Sequence, residues 1–505
     1  MRLTLAVVLI MAPLAAAAAQ GGSVAGAPHA APLPGNPVAI SLGDALARAD
    51  SASEAVGIAR ANVAKAEADR LRARSGLLPQ LNGSATYSRT IKSQFAGFAS
   101  SSSDTFPAPV NCGHFTPNPA LPLGERLDSL ERGLDCSANG GGGVDFSNLP
   151  FGRANTYNFG LSASQSLFNP ALRGQFAATA SAREAAEVAL VAERTRSVLD
   201  VAKAYFDAQL AQRLLDIADS TLAQAERAFN QTRLEKNVGN AAEFDLLRAT
   251  VSRDNQRPVV IQRRAARDRT LLKLRQLLDL PDGSALTLTT PLGDTTRASL
   301  PASVSNGAGD TATAARAPVR QAAAALAASE ALVRAANGSK LPSLSLSSTY
   351  AKIAFPARVF GLNKFVTDWS VVLRMDVPFY TGGRLRADKM GAEAARDASE
   401  LRLRQAREDA TREAADMQSD LAAAEATWEA SSGTADLAVR AYAIADVRYR
   451  NGLSTLTELG DSRIQLEQAQ ANRAQAARDL QVARVRAALL RDLPFGTGIA
   501  GSGGN

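Results

Sequence analysis

The sequence predicts an α+β membrane protein built by internal duplication, each half supplying two membrane-crossing strands and a pair of long helices. Three observations carry that expectation. Leu78-Pro79-Gln80-Leu81, leading to Tyr87, returns as Leu341-Pro342-Ser343-Leu344, leading to Tyr350; Gly239, Asp245 and Leu280-Pro281 return as Gly452, Glu458 and Leu493-Pro494. Landmarks repeated in one order mean that one structural unit occurs twice. Between them, short stretches alternate apolar and polar residues, while proline-free stretches of about 65 residues keep a helical period. Finally, the chain opens with an export signal and afterwards has no run of ~20 apolar residues, so any membrane crossing falls to strands.

The signal occupies residues 1–19: Arg2 at the positive end, Leu3 to Leu14 as apolar core, and Ala15 to Ala19 as the small-residue cleavage zone. Residues 20–40, rich in Ala, Gly and Pro, read as a flexible leader. The first repeat covers 41–280. Ser41 caps a helix, with Asp44 three residues on, and this helix is expected to run to about Ser75. The period then changes. Leu81, Gly83, Ala85 and Tyr87 alternate with Asn82, Ser84, Thr86 and Ser88, as in a strand with one apolar face.

Residues 92–152 read as a long loop, with Ser100 to Ser103, several prolines and Gly140 to Gly143. A return strand follows over Thr156 to Phe168, with Tyr157, Phe159 and Leu161 on one face. Pro170 opens a helix to about Glu235, where Val198, Val201, Ala202 and Tyr205 mark the inward stripe. At 1.5 Å per residue such a helix is ~95 Å long, more than a globular domain accommodates. Gly239 turns the chain into a second helix ending at Leu280, with Pro258 expected to kink or break it.

A Thr/Ser/Gly/Pro-rich connector, 281–314, leads into the second repeat, 315–494. Its elements are a short helix Ala315 to Gly338, strands Ser343 to Tyr350 and Asp368 to Pro378, a long helix from Gly382-Gly383 to about Arg450, the Gly452 turn, and a last helix stopping at Leu493-Pro494. Residues 495–505 read as a disordered tail. Pro79 and Pro342 are 263 apart, whereas Phe168 and Phe379 are 211 apart. The difference falls between the strands, so the first copy has the longer loop.

That loop holds both cysteines, Cys112 and Cys136, which an oxidising compartment would pair. The alternative, a metal site with His114, has too few ligands at too loose a spacing. The net charge of +7 comes from Arg interspersed with Glu and Asp along helices, as in Arg402 to Glu413. It describes solvated faces rather than a nucleic-acid partner. With His29 and His114 as the only histidines and no phosphate loop, no catalytic, metal or cofactor constellation is legible.

In lipid every backbone polar group needs a protein partner, so a sheet there must close. Four strands cannot close, since about eight form the smallest filled barrel. The chain must pool strands with copies of itself, eight from two or twelve from three; twelve leaves a lumen for solute.

The duplicated Leu-Pro-x-Leu strand entry, the Phe379-Tyr380-Thr381-Gly382-Gly383-Arg384 turn, and Tyr449-x-x-Gly452 followed by Leu456 and Glu458 resemble the TolC-type outer-membrane efflux factors. The first copy departs from the pattern, with Phe168-Asn169-Pro170 in place of the paired glycines. The resemblance implies a homotrimer whose twelve strands cross the outer membrane and whose helices form a periplasmic tunnel. It implies an exit duct for tripartite efflux or type I secretion, with a periplasmic adaptor and an inner-membrane pump as partners.

It also assigns site residues. Glu458 and Asp461 match acids that ring the closed aperture, although acids near a helix N-terminus are also favoured by its dipole. Tyr449 and Asp245 match a polar latch between the helix turns at Gly239 and Gly452. The family's second latch uses Arg and Thr, where this chain has Ser454 and Phe244. Pro170, Gly382 and Gly383 are expected to turn strand into helix, and Trp369, Tyr157, Tyr87 and Tyr350 to form an interfacial aromatic belt. A passive porin would need many strands in succession, and a soluble coiled-coil adaptor would not need amphipathic strands.

Overall fold

A computed structural model describes residues 38–92, 118–139, 154–239, 241–281, 285–293, 312–356, 359 and 364–496. The export signal and most of the leader lie outside the described residues. The end of the leader forms β1 (Val38–Ile40), and the first repeat contains α1 (Leu42–Ala52), α2 (Glu54–Ser75), β2 (Gln80–Arg89), α3 (Leu123–Asn139), β3 (Asn155–Phe168), α4 (Pro170–Asn237) and α5 (Glu243–Leu277). After β4 (Leu286–Leu288), the second contains α6 (Ala317–Gly338), β5 (Ser343–Ala354), β6 (Phe365–Asp376), α7 (Arg384–Arg450) and α8 (Leu456–Leu489).

The described helices and strands differ from the expected ones in instructive ways. The single helix over 41–75 is two. Ser41 forms a reciprocal capping box with Asp44, but Ser53 then adopts an extended conformation and caps α2 through the Val56 N–H. The loop 92–152 is not wholly irregular, because α3 folds inside it. Its Leu123, Leu127, Leu130 and Leu134 recur at helical spacing and are exposed. Neither leader nor connector is structureless throughout: Val38–Ile40 pairs in parallel with Leu286–Leu288. Pro258 does not break α5, which continues through it.

The helices α4 and α7, of 68 and 67 residues, are each ~100 Å long. α4 packs along α6, α5, α2 and α8, and α7 along α8 and α6. Their small residues permit close approach. A Cβ on Gly174 would stand 2.5 Å from the Ala335 nitrogen, and one on Gly338 would stand 2.7 Å from the Ala171 nitrogen, so the start of α4 and the end of α6 touch backbone to backbone.

The main apolar core sits partway along the helices, where β1, α1 and β4 wrap around Val198, Leu199, Tyr205 and Phe206 of α4 and Leu274 of α5. Tyr205, wholly buried, donates its hydroxyl to the Ile40 carbonyl and accepts the Thr290 N–H, so it clamps the leader strand to the connector. At the start of the second repeat, buried Arg316 reaches Glu413 at 2.7 Å and donates to the carbonyls of Leu490 and Ala410. Glu413 is shared with Arg486, which also meets Asp420 at 3.1 Å. The guanidinium of Arg316 thus finds a charged partner for its burial.

Candidate functional site

The four longer strands form one antiparallel sheet in the order β2-β3-β5-β6. Its register sorts the residues by face, as the alternation predicts. Leu161 lies between Gly83 and Tyr350, and Tyr350 faces Trp369. Leu346 faces Leu373, and Leu344 faces Met375. The opposite face is polar, with Asn82, Ser162, Thr349 and Ser370 in one row. The apolar side chains have no core to enter: Trp369, Val371, Leu373 and Met375 are all exposed. An apolar outer face of this extent is suited to lipid.

The aromatic residues expected to form one belt lie at two levels. Tyr87 and Tyr157 face each other with ring centroids 4.8 Å apart. Tyr350 and Trp369 share a row four residues further along β3, roughly 13 Å lower, and the Trp369 indole donates to Ser348 Oγ at 3.1 Å.

Below the sheet the two repeats turn from strand to helix by different means. The second uses Gly382 and Gly383 at φ +59° and +88°, a left-handed pair that residues with a Cβ adopt at a cost. The first needs neither glycine. Pro170 stands in the first turn of α4, where its missing N–H is harmless, and Asn169 Oδ1 accepts the Leu172 N–H at 3.1 Å.

At the far end, Gly239 and Gly452 turn the chain at φ +84° and +69°. An ion pair spans each turn, Lys236 with Glu243 and Arg448 with Glu458, the latter at 3.7 Å. Three polar links then join the two hairpins. The Tyr449 hydroxyl is 2.8 Å from Thr232 Oγ1, Arg248 donates to Thr457 Oγ1, and Arg463 donates to Ser252 Oγ at 2.8 Å. The hydrogen-bond partner of Tyr449 is therefore Thr232 on α4, rather than Asp245. Asp245 acts from a distance: the Tyr449 pKa is raised, first by burial, with the Thr232 bond opposing and the charges of Glu235 and Asp245 adding to the rise.

Glu458 and Asp461 are both exposed in the first two turns of α8. Thr455 caps this helix by accepting the Glu458 N–H at 3.2 Å, so Glu458 also sits where the helix dipole favours an acid. Asp461 lies on a cavity of about 160 Å³ shared with Arg248, Ser252, Tyr442 and Arg463. Burial lowers the pKa of Arg463 and raises that of Tyr442. Thr232, Arg248, Ser252, Thr457 and Arg463 gave no sequence signal, since a polar residue on a helix faces solvent unless another helix covers it. The expected Cys112–Cys136 bridge includes Cys112, which lies outside the described residues.

An amphipathic sheet whose edges β2 and β6 are unpaired among the described residues, continuous with helices of this length, is the fold of a TolC-type outer-membrane channel. Among the described residues no helix is long and apolar enough to cross a membrane. The family model described as outer membrane efflux protein matches residues 134–279 and 309–490, and the chain belongs to that family. It is an outer-membrane protein.

Its similarity to the toluene efflux pump outer membrane protein TtgF of Pseudomonas putida is 29% identity over 217 residues, 42% of each chain. The solvent efflux pump outer membrane protein SrpC of the same species is 28% identical over 271 residues, 52% of this chain and 53% of that one. The chain spans about half the length of the curated relatives it matches. Among solved structures, the open state of the Neisseria gonorrhoeae MtrE outer membrane channel aligns with a TM-score of 0.67 at 20% identity, over 90% of this chain and 89% of that one. The Campylobacter jejuni CmeC channel gives 0.66 at 16%, over 90% and 86%. At these identities the likeness is one of fold.

Proposed function

We propose that three copies of this chain form the outer-membrane exit duct of a tripartite efflux system. The observation that carries the reading is the four-stranded sheet with an exposed apolar face and both edges, β2 and β6, unpaired among the described residues. Such edges are untenable in lipid unless other strands cover them, and three copies give a twelve-stranded barrel. The long helices continue its wall as a tube through the periplasm. Relatives named for toluene and solvent efflux support efflux over type I secretion.

In this reading the turns at Gly239 and Gly452 form the periplasmic mouth, where a periplasmic adaptor and an inner-membrane pump engage the duct. The links between hairpins hold the mouth closed. Threefold symmetry multiplies Glu458 and Asp461 into acidic rings that enrich cations and repel anions. The long 92–152 loop faces the exterior. Fractionation tests location, native mass tests the trimer, and planar-bilayer recording tests conduction. Recovery of the mature chain from the soluble periplasm, or a monomer that conducts nothing, would overturn the proposal.

A further inference from the structure

Within one chain, the first repeat meets the second where β3 pairs with β5. Among the described residues the sheet holds no return pairing, second repeat to first, because β6 and β2 are its free edges. The duplication specifies what that contact would be. In the β3–β5 ladder Leu161 faces Tyr350, and Phe168 faces Leu344 across a bulge between Ser166 and Phe168. The repeated landmarks put Tyr87 in the place of Tyr350, Leu81 in that of Leu344, and Phe379 in that of Phe168. The bulge gives β3 one extra residue, so Leu161 corresponds to Leu373.

We infer that β6 pairs antiparallel with β2 of an adjacent copy, in a register that sets Leu373 opposite Tyr87, Met375 opposite Ala85 and Phe379 opposite Leu81. The inference rests on the trimeric reading above and adds the geometry of its seam. The apolar faces of both strands then point the same way, as a lipid-facing wall requires, and a one-residue slip would turn one of them inward.

An observation not used to derive the register agrees with it. Ile91 and Trp369 are 93% and 72% exposed in the single chain. The same register that joins Leu81 to Phe379 also sets Ile91 opposite Trp369. A slip of two residues puts Ile91 opposite Thr367 in one direction and Leu81 opposite Thr381 in the other. The seam also accounts for strand length. β3 runs to Phe168, while β6 stops at Asp376, and a neighbouring β2 would extend it to Phe379.

Cysteine pairs test this in the full-length chain carrying Cys112→Ser and Cys136→Ser, oxidised in isolated outer membranes. Ala85→Cys with Met375→Cys, and Tyr87→Cys with Leu373→Cys, are the matched pairs. Ala85→Cys with Leu373→Cys, and Ala85→Cys with Val377→Cys, are the slipped ones. Facing Cα atoms lie within disulfide reach and diagonal ones do not, so the matched pairs are expected to give at least about fivefold more covalent trimer. Better crosslinking of a slipped pair overturns the register and leaves the trimer intact. A trimer by native mass in which no pair crosslinks also overturns it. A chain that is monomeric by native mass overturns the assembly itself.

Discussion

The hydroxyl of Tyr449, at the end of α7, lies 2.8 Å from Oγ1 of Thr232 near the end of α4. This bond joins the two helical hairpins of one chain within two turns of their tips. Thr232 is 1% exposed, and its hydroxyl also lies 2.9 Å from the Ala228 carbonyl. If the link holds the mouth shut, Tyr449→Phe and Thr232→Val each favour opening by the net worth of a hydrogen bond, ~0.5–1.5 kcal/mol, or roughly two- to tenfold. The double variant adds little beyond either single one. Single-channel conductance reads the effect. An Asp245→Asn channel matching Tyr449→Phe while Thr232→Val behaves as wild type would return the latch to Asp245.

Acidity adds a second expectation. Burial, aided by the charges of Glu235 and Asp245, raises the Tyr449 pKa above its ordinary value of 10.0. The neutral phenol is the form its packed surroundings favour, so its contribution is complete below the unfolded pKa and is lost as pH rises through the higher folded one. Conductance of the wild-type channel should owe no change to Tyr449 between pH 6 and 9, with opening only above about pH 10. The Tyr449→Phe channel should lack that alkaline transition. A Tyr449-dependent opening near neutrality would contradict this account.

In the proposed acidic rings the two carboxylates would be unequal. Arg448 lies 3.7 Å from Glu458 and offsets part of its charge, whereas Asp461 has no ion pair among the described residues. Asp461→Asn should therefore reduce cation preference more than Glu458→Gln does, and the double variant should reduce it most. Reversal potentials in a KCl gradient measure this directly. Equal reversal potentials for wild type and the double variant would remove both residues from the conduction path.

Close packing between the repeats makes a contrast between two helical glycines. Gly174→Ala would set a Cβ 2.5 Å from the Ala335 nitrogen, and such overpacking costs ~1–3 kcal/mol. Gly391→Ala meets nothing within 4 Å and should stabilise α7 by up to ~1 kcal/mol through helix propensity. Thermal unfolding of the purified protein in detergent should separate the two in opposite directions.

Much of this was legible because the two periodicities are far apart. The alternation over Leu81 to Tyr87 and the unbroken helical stripe through Val198 to Tyr205 each have one structural solution, and repetition located their counterparts. What was not legible depended on tertiary partners. Three residues such as Val38–Ile40 are too few to show a period; they become a strand because Leu286–Leu288 lies alongside. β5 extends past Tyr350 to Ala354 because β3 is there to pair with it. Ser53 interrupts a pattern that otherwise reads as one helix, and nothing but its own cap marks the break. At the mouth, Tyr449 was legible from its motif, but its partner was not. Thr232 is one polar residue among many on α4, singled out by which helix lies across it.

The parallel pairing of Val38–Ile40 with Leu286–Leu288, fastened by Tyr205, also constrains the order in which the molecule is made. The two strands are about 248 residues apart in the chain, and closing so long a loop is an entropic cost met before any contact rewards it. A chain emerging N-terminus first cannot complete this girdle until Leu288 has followed. Until then β2 and β3 wait beside an absent β5, their apolar faces open to water. Biogenesis must therefore guard a half-built sheet for the time it takes to deliver the second repeat.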